Sequence, residues 1–277
     1  MKNLIIITGA SSGIGREFAL QMDDYFSNID EFWLVARRRE ELDKLAKCLV
    51  HKTRILVMDI TKDAQLDRLE DTLMDHHGIV RMLVNCAGFG LLGDFASQDR
   101  AKALGMIRTN CLALTELTHR MIPYMRPGSR ILQMASSAAF LPQPGFAVYA
   151  ATKAYVLSFS RALGQELEKA GIYVTSVCPG PVDTPFFEIA EQTGASLAVK
   201  KYAMVSPDKV VALALKDSYY KRPVSVCGLP MKIFRMIAKL WPCSVLLRML
   251  DLIKQVESER TERKRKERKG KETERIR

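Results

Sequence analysis

The segment Tyr149-Ala150-Ala151-Thr152-Lys153 places a phenol and an ammonium group four residues apart, within a stretch of helical periodicity. Residues i and i+4 share one face of an α-helix, so the two groups can act on the same ligand. A phenol with an ordinary pKa of about 10 exchanges protons poorly near neutral pH. A nearby ammonium group favours the phenolate and lowers that pKa toward the working range. The same spacing taken alone also fits a surface tyrosine packed on a lysine stem.

A glycine-rich turn near the start of the chain predicts a phosphate-binding site. An apolar run over 4–7 leads into Thr8-Gly9-Ala10-Ser11-Ser12-Gly13-Ile14-Gly15, which opens a segment of helical period over 13–27. Glycine lets the backbone approach a phosphate closely, and a helix N-terminus offers it free N–H groups. The spacing Gly-x3-Gly-x-Gly lacks the lysine and Ser/Thr of a P-loop, which argues against an ATPase.

Arginines after the second apolar run indicate the type of dinucleotide. The run ends at Ala36 and is followed by Arg37, Arg38 and Arg39. An acidic residue at this place would meet a free ribose 2′-hydroxyl, whereas an arginine would meet a 2′-phosphate. Because guanidinium groups match phosphate geometry, Arg37 and Arg38 favour NADP(H) over NAD(H). The alternative is that these arginines only decorate the start of a surface helix, and for Arg39 that alternative is preferred.

Short apolar runs alternate with segments of helical period along the chain. The predicted strands are 3–8, 32–36, 54–58, 80–85, 129–135, 173–178 and 224–227, and the predicted helices are 13–27, 40–50, 62–76, 101–126, 148–170 and 207–220. This alternation is typical of βαβ units, and continuous apolar runs suit strands covered on both faces. We therefore expect an α/β fold in a single domain, with a Rossmann-like, doubly wound, parallel seven-stranded sheet. Ligands bind such sheets beyond the carboxyl ends of the strands.

With these features in order, residues 1–227 resemble the short-chain dehydrogenase/reductase family. Thr8–Gly15 is similar to its TGxxxGxG cofactor turn. Asn85-Cys86-Ala87-Gly88 resembles its NNAG motif, with Cys86 in place of the second asparagine. Pro179-Gly180-Pro181-Val182-Asp183-Thr184 resembles the motif that wraps the nicotinamide, in which Asp183 is interpreted as a loop or capping residue.

The resemblance implies a catalytic tetrad of Asn110, Ser136, Tyr149 and Lys153. Tyr149 would protonate the carbonyl oxygen as hydride arrives, and Lys153 would lower its pKa and hold the nicotinamide ribose. Ser136, preferred over the adjacent Ser137, would donate a hydrogen bond to the substrate oxygen. Asn110 would hold a water that links Lys153 to bulk solvent.

The resemblance also implies a set of cofactor-binding residues, among which Asp59 would contact the adenine. The full set is Gly9, Ser11, Ser12, Gly13, Ile14, Gly15, Arg37, Arg38, Asp59, Ile60, Asn85, Ala87, Gly88, Tyr149, Lys153, Pro179, Gly180, Val182 and Thr184. No metal is expected at this site, since the chemistry requires only the dinucleotide.

The substrate side is less specific. By resemblance, residues 185–205 form a lid over the substrate. An apolar pocket for a bulky or lipid-like carbonyl compound would be lined by Phe140, Leu141, Phe146, Phe186, Phe187 and Ile189. Ordinary core packing is an equally good explanation for any one of them.

The chain continues beyond the predicted last strand. We divide it into an oxidoreductase domain over 1–228, an amphipathic helical extension over 229–256 and a charged, disordered tail over 257–277. The extension would pack on its own fold or on a partner subunit, which is preferred, or would lie on an anionic membrane. The family resemblance implies a homodimer or homotetramer.

Charge and cysteines restrict the function classes. The net charge is +11, and the last segment from Glu257 holds ten Lys/Arg against six Glu, which suits a solvated tail better than a specific nucleic-acid site. Six scattered cysteines form neither a disulfide framework nor a zinc motif. The apolar run at 4–7 is shorter than the ~7–15 residues of a secretory signal, so we expect a cytoplasmic protein, with peripheral membrane contact left open.

Together these features predict an NADP(H)-dependent oxidoreductase that interconverts a ketone and a secondary alcohol. A lipid-like, 3-oxoacyl or steroid-like substrate is preferred over a small polar sugar. The alternative is a non-catalytic dinucleotide-sensing or scaffold protein of the same fold, which would not need Tyr149 and Lys153 in helical register.

Overall fold

A computed structural model describes residues 1–192 and 204–249 and contains one seven-stranded sheet. The strands are β1 Lys2–Thr8, β2 Glu31–Ala36, β3 Thr53–Val57, β4 Gly78–Asn85, β5 Arg130–Met134, β6 Tyr173–Val177 and β7 Val224–Ser225. All pairings are parallel, in the spatial order β3-β2-β1-β4-β5-β6-β7. The predicted doubly wound sheet is confirmed. Because the strand order reverses between β1 and β4, the cleft lies beyond their carboxyl ends.

Helices cover both faces of this sheet. They are α1 Gly13–Tyr25, α2 Arg39–Ala46, α3 Asp63–Asp75, α4 Arg100–Ile107, α5 Leu114–Met121, α6 Ala147–Glu168, α7 Phe186–Ala190, α8 Pro207–Tyr219 and α9 Leu229–Leu240. The single helix predicted over 101–126 is instead divided. A π-helical turn, Arg108–Ala113, separates α4 from α5, and a 3₁₀ turn that contains Pro123 follows α5. Proline disrupts a regular helix, which explains why the α-helical geometry ends at Met121.

The two faces of the sheet carry separate apolar clusters. Along β2, Phe32 and Leu34 belong to the cluster that includes Phe18 and Met22 of α1. Trp33, between them, belongs to the opposite cluster with leucines of α3 and α5. Successive side chains of a strand point to opposite faces, so an unbroken apolar strand fills both layers. The edge strand β3 is only partly buried, because one side of it has no neighbouring strand.

The chain divides into a compact unit, Met1–Arg235, which holds the whole sheet, and a smaller unit that begins at Met236. The domain boundaries predicted at 228 and 256 stay predictions. The middle of the predicted lid, 193–203, and the predicted tail, 257–277, lie outside the described residues, as does 250–256 of the extension. No helix in the described ranges is both long and apolar enough to span a bilayer.

Candidate active site

Thr8 joins the carboxyl ends of β1 and β4. Its side chain is fully buried, and its Oγ1 accepts hydrogen bonds from the backbone N–H groups of Cys86 and Ala87, both at 3.1 Å. The glycine turn after β1 is thereby fixed against the loop after β4. Sequence reasoning did not assign Thr8 a role, although a buried hydroxyl directly before a glycine turn is a recognisable signal.

The glycine turn has no room for side chains. Gly9 has φ +67°, and a Cβ there would lie 2.8 Å from the backbone nitrogen of Ala87. A Cβ at Gly15 would lie 2.4 Å from the carbonyl oxygen of Gly9. The N-cap residue of α1, Ser12, makes no capping hydrogen bond through its side chain. The turn and the helix N-terminus therefore form a backbone cradle that fits a dinucleotide pyrophosphate.

Arg38 reaches back from the end of β2 to this turn. Its Nη2 donates to Ser12 Oγ at 2.7 Å and to Ser11 Oγ at 3.0 Å. Both Arg37 and Arg38 are exposed. A planar, permanently charged group thus lies where the adenosine ribose of a bound dinucleotide would carry its 2′ substituent.

Asp59 follows β3 and is held in its ionised form. Its Oδ1 accepts from Thr61 N at 3.0 Å and from Thr61 Oγ1 at 2.8 Å. Burial acts to raise the pKa of Asp59, but these two bonds and the charge of Arg37 outweigh it, so the pKa is lowered. The next residue, Ile60, is buried. The contact of Asp59 with adenine stays a prediction.

Asn85 at the end of β4 has a structural environment. Its Nδ2 donates to Thr118 Oγ1 and to Gln133 Oε1, each at 3.0 Å. These bonds tie β4 to α5 and β5 and direct the amide into the protein. Of the residues predicted after β4, Ala87 and Gly88 instead lie at the cleft, where Gly88 is exposed.

Asn110 is fully buried within the π-helical turn. Its Oδ1 accepts from Phe89 N at 3.1 Å, and its Nδ2 donates to Phe89 O at 2.9 Å and to Thr152 Oγ1 at 3.0 Å. A Cβ at Gly88 would lie 2.9 Å from Asn110 Oδ1, so only glycine fits beside it. Both amide hydrogens are used by protein atoms. Thr152, which sequence reasoning passed over, lies on the site-facing side of α6.

Ser136, Tyr149 and Lys153 come together at the carboxyl end of β5. Tyr149 is hydrogen-bonded to Ser136, whose Oγ also accepts from Ala138 N at 3.1 Å. Lys153 Nζ lies 5.6 Å from the centroid of the Tyr149 ring and donates to Met134 O at 2.7 Å. The i and i+4 spacing therefore does place both polar groups on one face of α6.

Burial dominates the titration of both groups. It raises the pKa of Tyr149 to about 12, and the hydrogen bond with Ser136 acts in the opposite direction. Burial also lowers the pKa of Lys153 to about 8. The prediction that Lys153 lowers the pKa of Tyr149 is therefore wrong for the chain by itself, because desolvation exceeds any attraction between the two. At neutral pH, Tyr149 keeps its proton.

Aromatic rings enclose Tyr149 on the substrate side. Phe146 stacks on its ring with centroids 4.3 Å apart, and Phe186 of α7 lies 5.4 Å away at an inclined angle. A Cβ at Gly90 would lie 2.7 Å from Tyr149 Cδ2 and 2.9 Å from Phe186 Cζ. Only 7% of Tyr149 is exposed. An apolar wall thus surrounds the phenol.

The other residues predicted for the apolar pocket divide between locations. Phe140 ends a 3₁₀ turn and packs with Phe234, with ring centroids 6.2 Å apart, in a cluster separate from that of Phe146. Leu141 and Phe187 are buried, whereas Ile189 is 43% exposed. Alternation of burial along such short turns carries no sequence period, which explains why the pattern could not separate them.

The loop after β6 lies against both the glycine turn and the serine loop. The carbonyl of Pro179 accepts from Ser137 N at 2.8 Å. Thr184 lies beside Gly13, where a Cβ would be 3.4 Å from Thr184 Cβ. Val182 forms an isolated parallel bridge with Val205. The three predicted cofactor segments after β1, β5 and β6 therefore meet.

The cysteines around the site are neutral thiols. Burial raises the pKa of Cys86, Cys111 and Cys178, which opposes thiolate formation. Cys86 packs behind the glycine turn, 3.2 Å from where a Gly15 Cβ would be. Within the described part of the chain, no group of three or more His, Cys, Asp or Glu is arranged to hold a metal ion.

Comparison with known proteins agrees with this geometry. The short chain dehydrogenase family profile matches residues 3–194. A sulfoacetaldehyde reductase of Chromohalobacter salexigens is 34% identical over 67% of this chain and 75% of that protein. A very-long-chain 3-oxoacyl-CoA reductase of Phaeosphaeria nodorum is 33% identical over 74% of this chain and 62% of its own length.

Among solved structures, a short-chain dehydrogenase from Sphingobium yanoikuyae in complex with NADPH has a TM-score of 0.71 and 27% identity, and covers 93% of this chain and 95% of its own. The matched family profile spans the glycine turn, the Ser136 loop and α6, which are the elements that meet in the cleft. The chain therefore belongs to the short-chain dehydrogenase/reductase family and is an NAD(P)-dependent oxidoreductase that acts on CH–OH groups.

Proposed function

We propose that this protein is an NADPH-dependent reductase that converts a bulky, apolar ketone into a secondary alcohol. Lipid-like, 3-oxoacyl or steroid-like ketones are the preferred substrates. The observation that carries the proposal is the enclosure of the Tyr149 phenol by Phe146 and Phe186. A small polar ketone would leave these rings without contacts, whereas a large apolar one would replace water against them.

In this proposal, the chain supplies the proton and stabilises the charge. The chemistry that a bound NADPH contributes is a hydride for the carbonyl carbon. Tyr149, with a pKa raised to about 12 by burial, holds its proton at neutral pH and donates it to the carbonyl oxygen. The Ser136 hydroxyl donates a hydrogen bond to the same oxygen as negative charge develops there.

Lys153 and Asn110 act around that centre. Lys153 carries its ammonium below a pKa of about 8 and so supplies positive charge beside the phenol. Asn110 Oδ1 keeps one lone pair after accepting from Phe89, which leaves it able to hold a water. Its two amide hydrogens fix Phe89 O and Thr152 instead. The protonated Tyr149 suits reduction better than oxidation, which would need the phenolate.

The preference for NADPH is supported by Arg38. Its guanidinium already contacts Ser11 and Ser12, at the mouth of the glycine turn. The residue that ends β2, Ala36, has no carboxylate to hold a 2′-hydroxyl. The Sphingobium yanoikuyae neighbour was solved with NADPH, which is consistent with this preference.

The substrate class is supported by the aromatic wall more than by kinship. One relative is named as a reductase of a very-long-chain 3-oxoacyl-CoA and another as a reductase of sulfoacetaldehyde. Because such different carbonyl compounds occur at similar identity, the family alone does not choose between them. A cytoplasmic homodimer or homotetramer completes the proposal, on the family resemblance.

The test combines turnover with cofactor choice. We expect the full chain to consume NADPH, followed by its ultraviolet absorbance, with long-chain or polycyclic ketones and much less with short polar ones. Arg38→Ala should weaken NADPH binding at least about tenfold, since a charge-assisted phosphate contact is lost, and leave NADH binding nearly unchanged. Arg39→Ala, one residue along on the exposed start of α2, is the matched control and should change neither.

A non-catalytic dinucleotide sensor is the competing function. It would bind NADPH as tightly as the proposed enzyme but turn over none of the ketones tested, and Tyr149→Phe would then have no consequence. Equal losses of NADPH and NADH affinity in Arg38→Ala would instead refute the cofactor preference while leaving the reductase in place.

A further inference from the structure

Helix α9 is anchored by one side only. Met231 is 9% exposed and packs on Gly180, where a Cβ would lie 2.8 Å from Met231 Cγ. The Phe234 ring lies 6.2 Å from that of Phe140, and the Arg235 guanidinium is 5.9 Å from the centroid of the Phe140 ring. These three consecutive-turn contacts fix the rotation of the helix about its axis.

The opposite side of α9 is apolar and faces outward. With 3.6 residues per turn, the outward side chains fall within an arc of about 100°, centred opposite Met231. They are Leu229, 69% exposed, Ile233, 44%, Met236, 59%, Ile237, 40%, and Leu240, 72%. We refer to these five residues as the α9 stripe. An amphipathic helix ordinarily turns such a stripe toward a core, so an outward stripe indicates a missing apolar partner.

Positive charge borders the α9 stripe without opposition. Lys232 and Lys239 are exposed along one edge of it. From Leu229 to Met249 the sequence contains four Lys/Arg and neither Asp nor Glu. No described carboxylate forms an ion pair with either lysine. A partner for this surface must therefore combine an apolar interior with anionic groups at its edge.

We propose that the α9 stripe docks the protein onto the surface of an anionic lipid bilayer. The stripe would enter the boundary between headgroups and acyl chains, while Lys232 and Lys239 would contact anionic headgroups. Trp241, 52% exposed just after the helix, is a residue type suited to that boundary. The helix would lie in the plane of the interface, as expected of a helix with a strong apolar face and a basic edge.

Two other occupants fit the surface less well. A second copy of the chain would bring the same unopposed lysines to the same interface, since a twofold dimer pairs identical surfaces. The chain's own last segment, 257–277, contains Ile276 as its one large apolar side chain and so cannot cover five exposed ones. The observed charge therefore selects the bilayer.

Flotation of the full chain with vesicles tests the proposal. We expect the protein to float with vesicles of phosphatidylcholine and phosphatidylserine and to float poorly with phosphatidylcholine alone. The double variant Ile233→Glu, Met236→Glu should lower the bound fraction at least about tenfold, because charged side chains replace the inserted ones. Lys232→Glu with Lys239→Glu should abolish the preference for phosphatidylserine.

A matched control separates this effect from added charge. Met74→Glu changes a methionine of α3 that is 50% exposed, comparable to Met236, and should float like the unchanged protein. All variants should keep NADPH binding and ketone turnover, since none of these residues lies in the cleft. The proposal is overturned if the unchanged chain does not float, or if the stripe variants float as well as the control. It is also overturned if those variants convert a dimer into a monomer while lipid binding stays the same.

Discussion

The two sides of the cleft are built from different materials. On the cofactor side, backbone atoms meet backbone atoms: a Cβ at Gly9 or Gly15 would lie 2.8 or 2.4 Å from main-chain atoms. On the substrate side, Tyr149 is enclosed by the rings of Phe146 and Phe186, the latter on a helix of five residues. Main-chain geometry admits almost no variation, whereas side-chain volume can change one residue at a time. One framework can therefore keep its cofactor and exchange its substrate.

The largest effect is expected where the two sides meet. Tyr149→Phe removes the only proton donor proposed for the carbonyl oxygen and should lower turnover by about 10²–10⁴-fold, with NADPH affinity nearly unchanged. Single-turnover kinetics and a fluorescence titration of NADPH measure the two quantities. Tyr155→Phe makes the same change on α6 at a phenol that is 43% exposed and bonded to Thr115, and it should be silent. A similar loss in both variants would contradict the role of Tyr149.

A second prediction concerns the cofactor side. Gly15→Ala would place a methyl group 2.4 Å from the Gly9 carbonyl, so the turn must shift. We expect the free energy of unfolding to fall by about 1–3 kcal/mol and NADPH affinity to fall at least about tenfold. Chemical denaturation and calorimetric titration give these values.

Gly164→Ala is the control for that change. Its Cβ would meet Val174 at an ordinary 3.6 Å within α6, so stability should be unchanged or rise by about 0.5–1 kcal/mol. If Gly15→Ala bound NADPH as well as the unchanged protein, the turn would be less tightly constrained than its contacts indicate.

The pH dependence gives a third prediction. The pKa of Lys153 is lowered to about 8, so its ammonium is lost as pH rises through that value, and reduction should fall by about tenfold for each further pH unit. The unfolded chain binds more protons at this lysine between pH 8 and its ordinary pKa of 10.5, so this residue's contribution to stability rises with pH in that window.

Lys153→Met should remove both dependences. Its residual activity should lack the alkaline limb, and its difference in stability from the unchanged protein should vary between pH 8 and 10.5 in the direction given above. An alkaline limb of the same midpoint in the variant would assign that limb to another group.

The smallest effect is expected on the substrate side. Phe186→Ala enlarges the space beside Tyr149 and removes an apolar contact, so kcat/KM for a bulky ketone should fall about threefold to tenfold, mostly through KM. A short ketone should be affected less. Phe95→Ala, at a phenylalanine that is 66% exposed elsewhere, should change neither substrate. Equal losses for large and small ketones would show that Phe186 supports the fold rather than the substrate.

The same contrast explains what could be predicted from sequence. Thr8–Gly15 and Tyr149–Lys153 are fixed by local geometry, namely a turn that excludes side chains and a helical spacing of four, and such constraints leave a mark in the sequence. The sheet order follows from the alternation of strands and helices together with the handedness of crossovers. The catalytic and cofactor roles of these residues stay predictions.

Other features depend on contacts between distant segments. Burial of Lys153 and Tyr149 by several elements sets their pKa values, so the expected lowering of the Tyr149 pKa was wrong despite the right spacing. The amide of Asn85 turns toward Thr118 and Gln133 because a buried donor needs partners, and no local pattern announces them. The outward α9 stripe was likewise invisible, since periodicity gives a face but not its direction.

The π-helical turn over Arg108–Ala113 has a consequence for how this site can change. It adds one residue to the helix, which lets Asn110 pair with Phe89 and Thr152 while Leu114 and Leu117 stay in the core. Deleting a single residue there would restore regular winding but rotate whatever follows by about 100°. Either the amide or the leucines would then lose their places, so insertions and deletions in this stretch are closed to this lineage even where substitutions remain open.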